Sequence, residues 1–242
     1  MDRLNELDLG VEIEIGAAKG FEFVNKAILL PVIRAGGRID RLVIDNEFVK
    51  AHYRFQEKYN WTYEETVEKY ADFIRELKEA YPRIHVGMIE AVFGHYWEDP
   101  EKYPSQKTKP PRLDLKKILL DVKAACDEYG VRLDSFVAEY SYSRINIVPN
   151  GWECLSEIRK FCTEQDMEFG IIYEDHEGGF TSDSMFAENT LRMVKAFDEH
   201  ELNPDFETVQ SWFDHPLRIL PETDPLSFMG VAKRILEYKE SK

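Results

Sequence analysis

Acidic side chains recur at the ends of apolar, strand-like segments in this sequence of 242 residues. In α/β folds with parallel strands, functional residues lie at the carboxyl ends of the strands, so these side chains would meet at one edge of a sheet. Acidic residues number 46 of 242, and strands disfavour them, so their recurrence at five of six strand ends predicts a carboxylate-rich site. The strand-end residues are Glu14; Asp45, Asn46 and Glu47; Glu90; Glu139 and Tyr140; Glu174, Asp175, His176 and Glu177; and Trp212, Asp214 and His215.

Carboxylates combined with aromatic rings point to carbohydrate as the ligand. A sugar ring has polar edges and an apolar face, so its site needs carboxylate acceptors, amide donors and flat aromatic platforms. Hydrolysis of a glycosidic bond uses two carboxyl groups that flank the bond. One of the two must hold a proton near neutral pH, which crowding by other carboxylates favours. The aromatic residues near the predicted strand ends include Tyr53, Trp61, Tyr96, Trp97, Tyr103, Tyr140, Tyr142, Tyr173 and Trp212.

Six successive strand-and-helix units would position these side chains. The apolar patterns predict strands over residues 11–16, 39–45, 84–90, 133–140, 168–173 and 206–212. They predict helices over residues 23–35, 63–80, 113–129, 153–165, 184–200 and 226–239. Thr62 and Glu65 form a capping-box signature before the second helix, and Gly36 follows the first helix as a C-cap.

The order of these units predicts a single α/β domain over residues 1–242. No linker rich in Gly, Ser or Pro and no low-complexity tract interrupts the sequence. Alternating strands and helices favour a TIM-barrel-like fold, although a closed (β/α)8 barrel has eight strands in roughly 250 residues. With six visible βα units, we expect a barrel that is open or lacks its first two strands.

The arrangement resembles the superfamily of (β/α)8-barrel glycoside hydrolases. In that superfamily an Asn-Glu pair ends strand four and its Glu is the acid/base, a second Glu ends strand seven as the nucleophile, and a Trp commonly ends strand eight. Asn46-Glu47, Glu174 and Trp212 follow the second, fifth and sixth predicted strands here, which would then be barrel strands four, seven and eight. The resemblance implies that Glu47 is the acid/base, that Glu174 is the nucleophile or second carboxylate, and that no cofactor or metal is needed. The implied substrate contacts are Glu14, Asp45, Asn46 (to a sugar hydroxyl), Glu90, Glu139, Tyr140, His176 and Trp212.

Three segments are also similar to a group of bacterial glycosidase-like barrel proteins of poorly defined activity. These segments are IRAGGRIDRLVIDNE, HVGMIE and VQSWFDHPLRILPETDP. In that group the strand-four segment tends to read Asp-Glu-Pro, whereas this chain has Asp45-Asn46-Glu47. Either Asp45 or Glu47 is therefore the equivalent acid. The group also has no constant Glu on strand seven, where this chain has Glu174.

Composition excludes several classes of partner. The formal net charge is −15, which repels phosphate backbones and anionic membranes, so we expect neither nucleic acid nor membrane as a partner. Three cysteines without a CxxC pair predict neither a disulfide framework nor a cysteine-rich zinc site. No run of 18 apolar residues is present, and the acidic N-terminus MDRLNELDLG lacks the apolar region of a secretory signal. A complete chain of this kind is expected in the cytoplasm.

Two other functions fit the same residues. A metal-dependent sugar isomerase or epimerase would use oxygen and nitrogen ligands from several strand ends. A non-catalytic carbohydrate-binding barrel would expose two unpaired sheet edges, through which it could form a homo-oligomer. The oligomeric state of the protein discriminates this last alternative. The candidate metal ligands are Glu139, Glu174, Asp175, His176 and His215.

Overall fold

The computed structural model describes residues 10–16, 20–54, 56–104 and 113–242 of the chain. Six strands form one sheet, in which their spatial order is also their order along the chain. The first strand pairs with the second, the second with the third and the fifth with the sixth, all in parallel. The strands are β1 (Val11–Ile15), β2 (Ile39–Asp45), β3 (His85–Ala91), β4 (Ser135–Glu139), β5 (Glu168–Tyr173) and β6 (Phe206–Val209).

Helices lie between successive strands. Helix α1 covers residues 21–34 and includes a π-helical turn at Asn25–Leu29. The other long helices are α2 (Tyr63–Ala80), α3 (Leu115–Glu128), α4 (Gly151–Glu164), α5 (Asp183–Glu199) and α6 (Phe228–Glu240). Sequential parallel strands with intervening helices are the arrangement of a TIM barrel, so the predicted TIM-barrel-like α/β fold with six βα units is confirmed. Within the described ranges, no helix is both long enough and apolar enough to cross a membrane.

Short helices that the sequence analysis did not predict follow four of the strands. Segments of three to six residues are too short for a helical period to be visible in the sequence. Several of them carry residues of the predicted site. They are Glu47–Val49, Lys50–Arg54 and Gln56–Tyr59 after β2, Val92–Gly94 after β3, Tyr142–Ile145 after β4 and His176–Thr181 after β5.

The chain divides into two compact units within β4. Of the described residues, 10–98 and 113–137 belong to the first unit, and 99–104 and 138–242 belong to the second. The single domain over residues 1–242 stays a prediction. In the first unit the buried core includes Leu42 and Ile44 of β2 with Tyr70 and Ile74 of α2.

The N-terminus of α2 is closed by the predicted capping box. Thr62 Oγ1 accepts a hydrogen bond from Glu65 N–H at 3.1 Å, and Glu65 Oε2 accepts one from Thr62 N–H at 2.8 Å. We expect Thr62→Ala to lower the free energy of unfolding by about 1 kcal/mol, because two N–H groups of the first turn lose their ordered partners. Thr62→Ser should retain most of the stability in urea denaturation. Equal stability of the Ala variant and the wild type would contradict the role of the cap.

The core of the second unit packs β5 against α5. The ring of Tyr173 meets that of Phe197 edge-on, with centroids 5.5 Å apart, and its hydroxyl donates to Glu207 Oε1 at 2.8 Å. Tyr173 is fully buried, so it is a core residue and not an exposed platform for sugar. Gly170 is required beside β6, because a Cβ atom there would lie 2.3 Å from the ring of Phe206.

Strand β6 ends earlier than predicted, at Val209 instead of residue 212. The side chain of Ser211 starts a turn: its Oγ accepts from Phe213 N–H at 3.4 Å and donates to the backbone oxygen of His215 at 2.5 Å. Local side-chain hydrogen bonds of this kind compete with a strand ladder. Trp212 therefore lies in the turn after the strand, where it is 47% exposed.

Candidate functional site

In the first unit, Asn46 ties the end of β2 to the end of β3. Its N–H donates to the backbone oxygen of Ile89 at 2.8 Å, and its Oδ1 accepts from Ala91 N–H at 2.7 Å. Its Nδ2 donates to Asp45 Oδ1 at 2.6 Å. Asn46 has a left-handed backbone with φ of 47°, which Asn adopts more readily than most residues. Asn46 thus holds the strand ends together, and its contact with a sugar hydroxyl stays a prediction.

Glu47 is buried at the start of the short helix that follows β2 and is 2% exposed. Lys50 Nζ lies 4.0 Å from Glu47 Oε1. The same ammonium forms a close ion pair with the Asp45 side chain and donates to the backbone oxygen of Asp45 at 2.7 Å. One lysine therefore faces both acids that the second resemblance leaves open as the equivalent residue.

The end of β1 approaches this carboxylate. A Cβ atom at Gly16 would lie 2.9 Å from Glu47 Oε1, so the absence of a side chain makes room for Glu47. Glu14, two residues earlier, is half-buried and pairs in register with Val43 of β2. The first unit thus brings the ends of β1 and β2 together around Glu47, as predicted for parallel strands.

Glu90 supports the short helix that begins at Glu47. It is fully buried, and its Oε1 accepts from Phe48 N–H at 3.0 Å. Its Oε2 lies 2.9 Å from His95 Nε2, and the His95 side chain is also fully buried. Both carboxylate oxygens therefore have partners within the protein. The structure places Glu90 in the support of the site, and its predicted contact with substrate is not tested.

In the second unit, Glu174 is a buried carboxyl directly after β5. It is 7% exposed, and its Oε2 has no hydrogen-bond partner among the described residues. Burial raises the pKa of Glu174 to about 8, with further contributions from the charges of Glu139 and Asp175. At neutral pH this carboxyl therefore holds a proton that an exposed Glu releases.

The partner carboxyl, Glu139, is the last residue of β4 and is half-buried. The next residue, Tyr140, is also half-buried, and burial raises the pKa of its phenol to about 12 although the positive charge of Arg144 opposes the shift. Tyr140 accordingly keeps its proton and can donate a hydrogen bond. The predicted residues Glu139, Tyr140 and Glu174 thus belong to one unit and influence one another electrostatically.

Asp175 holds the loops around Glu174 in place. It is fully buried, and its Oδ2 accepts from Gly178 N–H at 2.6 Å and from Asn189 Nδ2 at 2.8 Å. Its Oδ1 accepts from Ser143 N–H at 3.0 Å. Asp175 caps one short helix and binds the other, so it positions both segments beside Glu174.

The histidines of the second unit have structural neighbours. His176 packs edge-on against Phe180 and Phe213, with ring centroids 4.9 and 4.7 Å away. His215 Nδ1 lies 2.6 Å from Asp183 Oδ1. Across residues 10–16, 20–54, 56–104 and 113–242, no group of three or more His, Cys, Asp or Glu side chains is arranged to hold a metal ion. The geometry therefore gives the metal-dependent isomerase alternative no support.

Sequence reasoning missed three residues that shape this region, namely Arg144, Phe180 and Asn189. The signal for Asn189 was present, because it lies on the apolar face of α5 between the buried Phe186 and Met193. A polar residue on such a face requires a buried partner, which proves to be Asp175. Arg144 and Phe180 lie in short helices that give no comparable signal.

Comparisons with known proteins identify no family. No protein-family model matches the chain, and no curated protein matches it. An FMN-binding beta-glucuronidase from Faecalibacterium prausnitzii is similar in structure with a TM-score of 0.47 and 15% identity, over 87% of this chain and 30% of that one. A putative phosphonomutase from Burkholderia cenocepacia has a TM-score of 0.43 and 13% identity, over 97% and 70% of the two chains. The HMG-CoA lyase of Bacillus subtilis has a TM-score of 0.42 and 10% identity, over 83% and 53%. This chain thus spans less than a third of the length of the first structure, and the similarity does not extend to activity.

Proposed function

We propose that this protein is a carbohydrate-active hydrolase in which Glu174 donates a proton to the leaving glycosidic oxygen. The observation that supports this role is a buried carboxyl at a strand end, with one oxygen free of protein partners and a pKa raised to about 8. Glu139 is the ionised carboxylate of the pair. Two titratable groups whose environments separate their pKa values are the usual basis for assigning an acid and its partner.

The proton on Glu174 favours the role of acid over that of nucleophile. With a pKa of about 8, roughly nine-tenths of the Glu174 carboxyl is protonated at pH 7. A carboxylate nucleophile must be ionised, whereas a general acid must carry the proton that it transfers. The proposed role therefore differs from the nucleophile role that the family resemblance implies. It is consistent with an unpartnered oxygen that awaits a proton acceptor from the substrate.

Glu47 remains the second proposed catalytic carboxyl. The family resemblance implies that it is the acid/base, and its burial beside Lys50 makes it a well-positioned anion. Substitution of each acid separates the two assignments. If Glu139 is the partner of Glu174, Glu139→Gln should lose more activity than Glu47→Gln; if Glu47 is the partner, the order reverses.

The decisive experiment is hydrolysis of a panel of aryl glycosides and polysaccharides by the wild type and by Glu174→Gln. We expect the substitution to reduce kcat/KM by about 10²- to 10⁴-fold, because glutamine keeps the shape of the side chain but cannot transfer the proton. In the wild type, kcat/KM should fall as pH rises through about 8, since the free enzyme then loses the acid.

The matched control is Glu222→Gln, which alters an exposed carboxyl in the loop after β6 and should leave kcat/KM unchanged. Full activity of Glu174→Gln on a confirmed substrate would exclude Glu174 as the acid. Activated 2-deoxy-2-fluoro glycosides provide a further check by intact mass and peptide mapping. A covalent adduct on Glu174 would assign it the nucleophile role instead.

A further inference from the structure

A pocket of about 390 Å³ adjoins Glu174 in the second unit. Its walls come from the short helices Tyr142–Ile145 and His176–Thr181 and from the residues between Ile145 and Val148. Tyr142 N–H donates to the backbone oxygen of Glu174 at 3.2 Å, so the first of these helices is fixed next to the proposed acid. The lining includes Ser143, Arg144, Ile147, His176, Glu177 and Phe180.

Phe180 supplies an aromatic surface in this pocket. It is 62% exposed, which is unusual for a large apolar residue with ordered neighbours. The ring of His176 meets it edge-on at 4.9 Å between centroids, and the ring of Phe213 lies 4.3 Å away. A ring that is supported on one side and open on the other can stack against the apolar face of a sugar.

Arg144 supplies positive charge in the same pocket. No carboxylate in the described part of the chain pairs with its guanidinium, although the protein has a net charge of −15. The guanidinium lies near enough to Tyr140 for its charge to act on that phenol at the end of β4. The planar guanidinium can bind a carboxylate through two parallel hydrogen bonds, which makes arginine selective for this group.

We infer that this pocket is a subsite for a sugar ring that carries a carboxylate, that is, a hexuronate. The inference rests on the proposed function, since the ring would lie beside the bond that Glu174 protonates. Arg144 binds the carboxylate and Phe180 stacks on the ring. The exposed carboxylate of Glu177 also lines the pocket and opposes an anionic ligand, so it limits the affinity.

The test compares binding of methyl β-glucuronide with binding of methyl β-glucoside, measured by ligand-observed NMR or calorimetry. The two probes differ only in the carboxylate. We expect the wild type to bind the uronide about 10-fold more tightly, as one charge-assisted hydrogen-bonding contact provides. Arg144→Ala should abolish the difference, Phe180→Ala should weaken binding of both probes, and Glu177→Gln should strengthen binding of the uronide alone.

Equal affinity of the wild type for the two probes would overturn the inference, as would a preference for the uronide that survives Arg144→Ala. Thermal denaturation of each variant verifies that the fold is retained, which we expect because both replaced side chains are exposed. The same titrations in Glu174→Gln keep the two proposals distinguishable. A preference for uronide that depends on Arg144 supports the subsite even if no hydrolysis depends on Glu174, and the reverse result removes the subsite while the hydrolase stands.

Discussion

Replacement of Glu174 by glutamine is expected to raise the free energy of unfolding by about 2–4 kcal/mol at pH 9. The pKa of Glu174 is about 8 in the folded protein, against 4.5 for an unperturbed Glu. Between these two pH values the folded state holds a proton that the unfolded state releases. Stability that comes from this group is therefore complete below pH 4.5 and is lost as pH rises through about 8. Glutamine has no proton to lose, so the variant escapes this loss.

The measurement is urea denaturation of the wild type and the variant at pH 4, 6 and 9. The difference between the two proteins should be smallest at pH 4, grow through pH 6 and be largest at pH 9. Glu222→Gln is the control, because its exposed carboxyl should give a small difference that does not change with pH. A Glu174→Gln difference that is the same at pH 4 and pH 9 would show that the carboxyl is ionised normally in the folded state.

This prediction links stability to the proposed activity. A buried acid that must hold its proton for catalysis weakens the fold whenever the pH removes that proton. A variant that is more stable at high pH and inactive at neutral pH is the behaviour of a functional residue whose environment is unfavourable to the ionised form. A residue that served only the fold would lose stability when it is replaced.

Asp175→Ala is expected to lower the free energy of unfolding by about 3–5 kcal/mol. The substitution removes the acceptor of three donors, Ser143 N–H, Gly178 N–H and Asn189 Nδ2, of which the last lies in a buried side chain. A buried donor without an acceptor retains the full cost of its desolvation. The effect should therefore greatly exceed that of Asp214→Ala, which alters an exposed carboxyl in the loop after β6.

Urea denaturation of a double-mutant cycle measures how much of this cost belongs to Asn189. Asn189→Ala alone should cost about 1 kcal/mol, and the double variant should cost less than the sum of the single variants because the two side chains interact. Additive costs would mean that the Asp175–Asn189 contact of 2.8 Å contributes nothing to stability. Asp175→Ala should also abolish the preference for uronide, since both walls of the pocket are held by this carboxylate.

The sequence by itself determined the regular elements. Strands β2 and β5 and helix α2 have the predicted bounds, 39–45, 168–173 and 63–80, and the cap at Thr62 has the predicted hydrogen bonds. These features depend on apolar periodicity and on contacts between residues three or four positions apart, which are visible in a single sequence. The alternation of strands and helices likewise predicted the TIM-barrel-like fold and the edge of the sheet at which the acids lie.

The tertiary structure alone decided what each acid does. Glu47, Glu90 and Glu174 all follow or end an apolar strand and are indistinguishable by pattern. Glu90 accepts a hydrogen bond from Phe48, 42 positions away, whereas Glu174 is buried with one oxygen unpartnered in the described structure and with Glu139 nearby in charge. The pKa of a carboxyl depends on the water, charges and donors within a few ångströms. Those neighbours come from distant parts of the chain, so they are set only when the chain has folded.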